Sequence, residues 1–161
     1  MSTINCGIYT MCLVRDGDRV LLLNRPGSKG FPGYIGPGGK VEFPESFTEG
    51  AAREVVEETG LRVRPEHLEF KGIDEYVDPK NQYRGIVFNY ITTIFEGELL
   101  ADPPEGELAW VRIEDALSLP MQPWFKRRFP LFFEQGTFEI SVVWDDDAKR
   151  EVEDKLRQLV G

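Results

Sequence analysis

Histidine and cysteine are scarce in this chain: one His, His67, and two Cys, Cys6 and Cys12, among 161 residues. Two cysteines cannot build a disulfide scaffold. They lie six apart in what reads as one strand, about 20 Å at strand rise, too far apart to bridge. They are expected to be buried free thiols in a reducing compartment. The same scarcity excludes a zinc centre, because one imidazole and two thiols on a separate segment do not supply a nitrogen and sulfur ligand set. No apolar run approaches the roughly 20 residues needed to cross a bilayer. Met1-Ser2-Thr3-Ile4-Asn5 has neither the basic nor the apolar stretch of a secretory leader, so the expectation is a cytoplasmic chain with no membrane partner. Positive charge is also short: 19 Lys and Arg stand against 28 Asp and Glu, a net charge of −9. That balance excludes a general nucleic-acid coat or a membrane-surface protein. It leaves room for a phosphorylated substrate, since acidic residues that hold a divalent metal lower the net charge while the metal attracts phosphate.

What is present is an ordinary globular composition, 41% hydrophobic and 29% charged, in a length that suits one core. A single domain over residues 1–161 is expected. A strand from Ile4 to Val14, the turn signal Asp16-Gly17-Asp18 and the run Val20–Leu23 read as a hairpin. Pro26 to Gly39 is dense in Gly and Pro, a constrained loop broken by a short strand at Tyr34-Ile35. Ser46 to Thr59 reads as a helix, with Gly60 where a left-handed cap would sit. Strand-like runs follow at Leu68–Val77, Gly85–Phe95 and Glu107–Val111. A short helix is expected at Ile113–Leu117, another at Trp124–Gln135, and a strand at Phe138–Trp144. Asp145-Asp146-Asp147 then reads as the start of a final amphipathic helix with Val152, Leu156, Leu159 and Val160 on one side. Strands predominate, without a regular strand-helix repeat. The order therefore predicts a mixed sheet with helices packed on its faces.

The informative stretch is GKVEFPESFTEGAAREVVEETGL, from Gly39 to Leu61. Glu54, Glu57 and Glu58 stand at i, i+3 and i+4 of the predicted helix, within about a 100° arc of one another. Like charges so close destabilise a bare helix, and Arg53, four residues before Glu57, relieves only part of the repulsion. A cation over this face accounts for the pattern. Oxygen-only ligands indicate a hard ion, Mg²⁺ or Mn²⁺. Gly36-Pro37-Gly38-Gly39 just upstream lets backbone approach a ligand closely.

Gly39, five residues, Glu45, seven residues and Arg53-Glu54-Val55-Val56-Glu57-Glu58-Thr59-Gly60-Leu61 resemble the signature of the Nudix hydrolases at every defined position. Glu96-Gly97-Glu98-Leu99 and Glu105-Gly106-Glu107-Leu108-Ala109-Trp110 are most similar to its MutT-like members, which sanitise the nucleotide pool. The resemblance implies an α/β (α+β) fold, an α/β/α sandwich around a mixed β-sheet. It implies Mg²⁺-dependent hydrolysis of a nucleoside diphosphate linked to a group X, nucleoside triphosphates and 8-oxo-dGTP included. It further implies metal ligation by Glu54, Glu57, Glu58 and the Gly39 carbonyl, orientation of the glutamates by Arg53, and a role for Glu45 at the loop–helix junction. The base that takes the proton from water is one of Glu54, Glu57, Glu58 or a loop carboxylate. Glu105 is the first choice for that loop carboxylate, with Glu107 and Asp102 as rivals.

Substrate contacts are expected from Lys40, beside the metal loop, and from Arg25, with Lys29 as a further candidate. Tyr34, Trp124 and Phe125 offer flat rings to a base, and Gln122 one polar group. Ile35 occupies the position where family members that remove oxidised purine triphosphates carry Asn, and no acidic pair follows Pro123. An apolar pocket of this kind predicts broad base tolerance. Lys126-Arg127-Arg128 reads first as a solvated cationic helix face and second as a contact for extra phosphates or an RNA 5′ end. The rival functions are hydrolysis of ADP-ribose or dinucleoside polyphosphates, removal of pyrophosphate from an RNA 5′ end, and a non-catalytic nucleotide-sensing module. A prenyl diphosphate isomerase is disfavoured because no Cys lies near the glutamates. The chain is read as a monomer or a homodimer.

Overall fold

A computed structural model describes residues 3–159. The hairpin forms as its sequence requires: β1 (Asn5–Asp16) turns through Gly17 at φ 62° into β2 (Arg19–Arg25). Two short strands follow, β3 (Gly33–Ile35) and β4 (Gly38–Lys40), and then the helix α1 (Phe47–Thr59). Ser46 caps α1 reciprocally: its hydroxyl accepts from the Glu49 N–H while the Glu49 carboxylate accepts from the Ser46 N–H. Gly60 ends α1 at φ 88°, and a side chain there would press on the Glu98 carbonyl.

β5 (Glu69–Asp78), β6 (Tyr83–Thr92) and β7 (Glu107–Arg112) come next, then a short helix α2 (Pro123–Arg128) and the strands β8 (Thr137–Asp145) and β9 (Arg150–Leu159). The strands form one nine-stranded sheet in the order β3-β2-β1-β6-β5-β8-β9, with β4 also on β1 and β7 also on β2. It is mixed, because β1–β6 and β5–β8 are parallel and the other pairs antiparallel.

Strand alternation makes two cores. On β1, Met11 and Leu13 face one way, into a cluster with Phe125, Phe129 and Phe132 from the α2 layer. Cys12 and Val14 face the other way, against Ala51 and Val55 of α1. The result is the expected sheet with helices on both faces.

Three expectations are corrected. The final helix is instead strand β9, antiparallel to β8. The Asp145 side chain accepts from the Asp147 and Ala148 N–H groups, and Lys149 turns back at φ 55°, so the acidic run builds a hairpin turn. Leu156 then lies opposite Ile140 and Leu159 opposite Thr137, on different faces of the strand; Val160 lies outside the described residues. The helix expected over Trp124–Gln135 stops at Arg128 and continues as 3₁₀ turns over Phe129–Phe133, because Pro130 has no N–H for an α-helical bond. Ile113–Ser118 is likewise 3₁₀.

The third correction concerns the thiols. Both are free, but Cys6 is exposed near the start of β1, while Cys12 is fully buried and burial pushes its thiol up to about 12. A thiolate-directed reagent at neutral pH is therefore expected to label one thiol in the native protein and both in denaturant. Two equivalents reacting at the same rate before unfolding contradict this packing.

Candidate active site

The helix cap sets the phase of α1 so that Glu54 and Glu58, one turn apart, face the strand β4. The Gly38 N–H donates to a Glu58 Oε at 3.0 Å. Glu54 lies directly over Gly39: a Cβ added there would stand 2.5 Å from its Oε1. Two glycines are needed in this loop for packing reasons, since a Cβ at Gly38 would collide with the Thr10 carbonyl of β1. Glu57 is turned away by its 100° step along the helix. Its carboxylate accepts from Arg53 at 3.1 Å and is about half exposed.

Arg53 fixes this geometry. Its guanidinium donates to Glu45 at 2.8 and 3.0 Å, to Glu54 and Glu57 at 3.1 Å each, and to the Lys40 carbonyl at 3.1 Å. Glu45 in turn accepts from the Glu42 N–H at 2.8 Å. One planar fork thus joins the loop, the helix entrance and two carboxylates. Its bonds hold Glu45 down to about 2, with the Glu42 N–H adding to the effect, while Arg53 itself is held above its ordinary value, chiefly by Glu45.

The cavity carboxylates behave in the opposite way. Burial raises Glu54, against the pull of Arg53. Burial pushes Glu58 up to about 8, and the charges of Glu54 and Glu105 add to the push. A divalent cation would relieve both at once. Among the described residues no three His, Cys, Asp or Glu side chains converge closely enough to hold a metal as they stand. The donor set nevertheless fits a hard cation: every candidate atom is oxygen, and Glu54 is pressed against the Gly39 backbone.

A cavity of about 440 Å³ opens here, and both helical layers contribute to it. Glu54, Glu58, Glu105, Gly39, Lys40 and Arg25 line it from the polar side. Tyr9, Met11, Ile35, Val87, Trp124 and Arg128 line it from the other. Of the rival loop carboxylates, Asp102 and Glu107 line only a neighbouring hollow, which Glu105 shares. Several expected contacts are not brought in. Tyr34 packs against the core, Lys29 is exposed, and Gln122 is buried with its amide 3.5 Å from the Pro32 carbonyl. Phe125 is a fully buried core residue.

The cationic face expected at 126–128 is also corrected. Arg127 pairs with Glu151 and Asp154 of β9. Arg128 is 1% exposed and turns inward, with its guanidinium 4.9 Å from the Trp124 ring and 3.4 Å from the Asp74 carboxylate. Burial lowers Arg128 to about 10 and raises Asp74, since one long contact does not offset the loss of water for either partner. Spacing carried a signal for this: Trp124 and Phe125 stand four and three residues before Arg128, so all three share the inner face of the helix.

A model of the NUDIX domain matches residues 7–132. The chain is 31% identical over 117 residues to the uncharacterized Nudix hydrolase YvcI of Bacillus subtilis (strain 168), covering 71% of each chain. It is 32% identical over 150 residues to a putative 8-oxo-dGTP diphosphatase of the same organism, covering 92% of this chain and 93% of that one. The crystal structure of a mutator MutT protein from Bacillus halodurans superposes with a TM-score of 0.78 at 32% identity, over 93% of this chain and 97% of that one.

The Arg53 fork makes a stability prediction. Arg53→Lys keeps the charge and loses the bidentate geometry, so it is expected to lower unfolding stability by about 1–3 kcal/mol in a urea titration. An unchanged midpoint contradicts the role given to the fork.

Proposed function

The chain belongs to the Nudix hydrolase family, which acts on phosphoric anhydrides, and we propose that it is a Mg²⁺-dependent, MutT-like hydrolase of nucleoside triphosphates. The observation that carries this reading is the Glu54 carboxylate seated on Gly39 in the same cavity as Glu58 and Glu105. Mg²⁺, or Mn²⁺ in its place, would be held by Glu54, Glu58 and the Gly39 carbonyl, with Glu57 joining them by leaving its bond to Arg53. When bound, such an ion neutralises phosphoryl charge and makes water easier to deprotonate.

The remaining steps belong to the chain's own residues. Lys40 and Arg25, both on the cavity wall, attract and orient the polyphosphate. Arg53 keeps Glu54 and Glu57 at fixed positions while Glu45 ties the loop to the helix. Glu105, on a loop beside Glu58, takes the proton from the attacking water. Trp124 and Ile35 present apolar surface to the base. Support for a nucleoside triphosphate over other X groups comes from the similarity to a putative 8-oxo-dGTP diphosphatase along nearly the whole chain. We place residues 1–161 in one domain, since β8 and β9 extend the same sheet past the last residue of the family match. No helix among the described residues is long and apolar enough to cross a membrane.

Purified protein with Mg²⁺ is expected to release pyrophosphate or orthophosphate from at least one nucleoside triphosphate, and EDTA to abolish the release. No turnover on a broad panel with Mg²⁺ or Mn²⁺ refutes the assignment and favours a sensing module. Within an active enzyme, Glu57→Gln and Glu58→Gln are expected to lower kcat by about 100-fold or more, and Glu45→Gln by clearly less, because it loosens the loop without removing a ligand. Equal losses for all three variants, with metal affinity unchanged, contradict these roles.

A further inference from the structure

We propose that Arg128 and Trp124 form a subsite for a nucleobase with a ring carbonyl, and that Arg128 selects such a base over one carrying an amino group at the same position. The proposal rests on the nucleotide reading of this cavity and adds to it the class of base.

Arg128 is the only guanidinium among the described residues that is almost fully buried, and it lines the cavity. Its environment leaves hydrogen-bonding capacity unspent. One terminal nitrogen reaches Asp74 at 3.4 Å, the other reaches only the Met11 sulfur at 3.5 Å, and Nε has no partner. A buried cation so thinly satisfied is costly to keep unless something completes it. Asp74 and the Trp124 ring fix its position from two sides. Its neighbours Met11, Val87, Ile35 and Trp124 are apolar or aromatic, which suits a flat ring better than a phosphate. The phosphates have their own partners in Lys40 and Arg25, on the wall beside the glutamates.

A guanidinium donates hydrogen bonds and accepts none. Facing a base edge, it therefore pairs with a carbonyl oxygen and a ring nitrogen, as Arg does with guanine O6 and N7. An exocyclic amino group at that position presents N–H against N–H and leaves the spare N–H groups of the buried guanidinium unsatisfied. Discrimination then follows from the cost of the unpaired group, which an apolar pocket cannot supply. This revises the broad tolerance expected from Ile35 and Trp124 alone, an expectation that placed Arg128 in solvent.

The test is binding of IMP and AMP to the full-length protein by isothermal titration calorimetry, since the two nucleotides differ only at the purine 6-position edge. IMP is expected to bind about tenfold or more tightly than AMP. Arg128→Met, and separately Asp74→Asn, which frees Arg128 from its anchor, are expected to bring the ratio towards one while circular dichroism stays native. Equal binding of IMP and AMP by the wild-type protein, tighter AMP binding, or binding of neither overturns the proposal without reference to any variant. Binding of the monophosphates does not require turnover, so failure of the hydrolytic reading would show as absent triphosphate cleavage with the IMP preference intact.

Discussion

The Arg53 guanidinium is the interaction on which the rest of the site depends. It donates at once to Glu45, Glu54, Glu57 and the Lys40 carbonyl. Without it a helix carrying glutamates at i, i+3 and i+4 repels itself, and the glycine loop has no side chain of its own to anchor it. With it, the loop lies close enough to α1 for the Gly38 N–H to reach Glu58 and for Glu54 to rest on Gly39. The loop cannot exchange glycine for another residue at either position without moving β1 or a carboxylate, so backbone shape and ligand placement are one constraint.

The two helical layers divide the chemistry of the cavity. From α1 come crowded carboxylates that burial drives towards the protonated form, an arrangement that favours an incoming cation. From α2 come an aromatic ring and a buried guanidinium. β1 runs between them, with Met11 on the α2 side and Cys12 on the α1 side. A substrate with an anhydride at one end and a flat, acceptor-bearing ring at the other suits both layers.

Local signals in the sequence carried most of the geometry around α1. Capping residues fixed both ends of α1, and helical periodicity put Glu54, Glu57 and Glu58 on one face, of which Glu54 and Glu58 enter the cavity while Glu57, at i+4, bonds directly to Arg53. The misreadings concern residues whose fate is decided by distant partners. Val152 and Leu156 are spaced for a helix, but β8 offered an edge, and hydrogen bonding to that edge outweighed local periodicity. Lys126-Arg127-Arg128 looks like a uniform charged face. It divides because Arg127 meets Asp154 and Glu151 on β9, whereas Arg128 meets Asp74 on β5. Tyr34 and Gln122 lie close to cavity residues in sequence yet do not line the cavity: Tyr34 packs against the core that holds Ile35, and the Gln122 amide turns to the Pro32 carbonyl.

The central claim is that Gly39 and Glu54 together make a cation site. Titration with Mn²⁺, followed by electron paramagnetic resonance of the free ion, tests it without any substrate. Gly39→Ala places a methyl group where the Glu54 carboxylate lies, and the account predicts that it weakens Mn²⁺ binding by about tenfold or more while the helical circular dichroism is retained. Wild-type affinity in Gly39→Ala, or no Mn²⁺ binding by the wild-type protein, would contradict it.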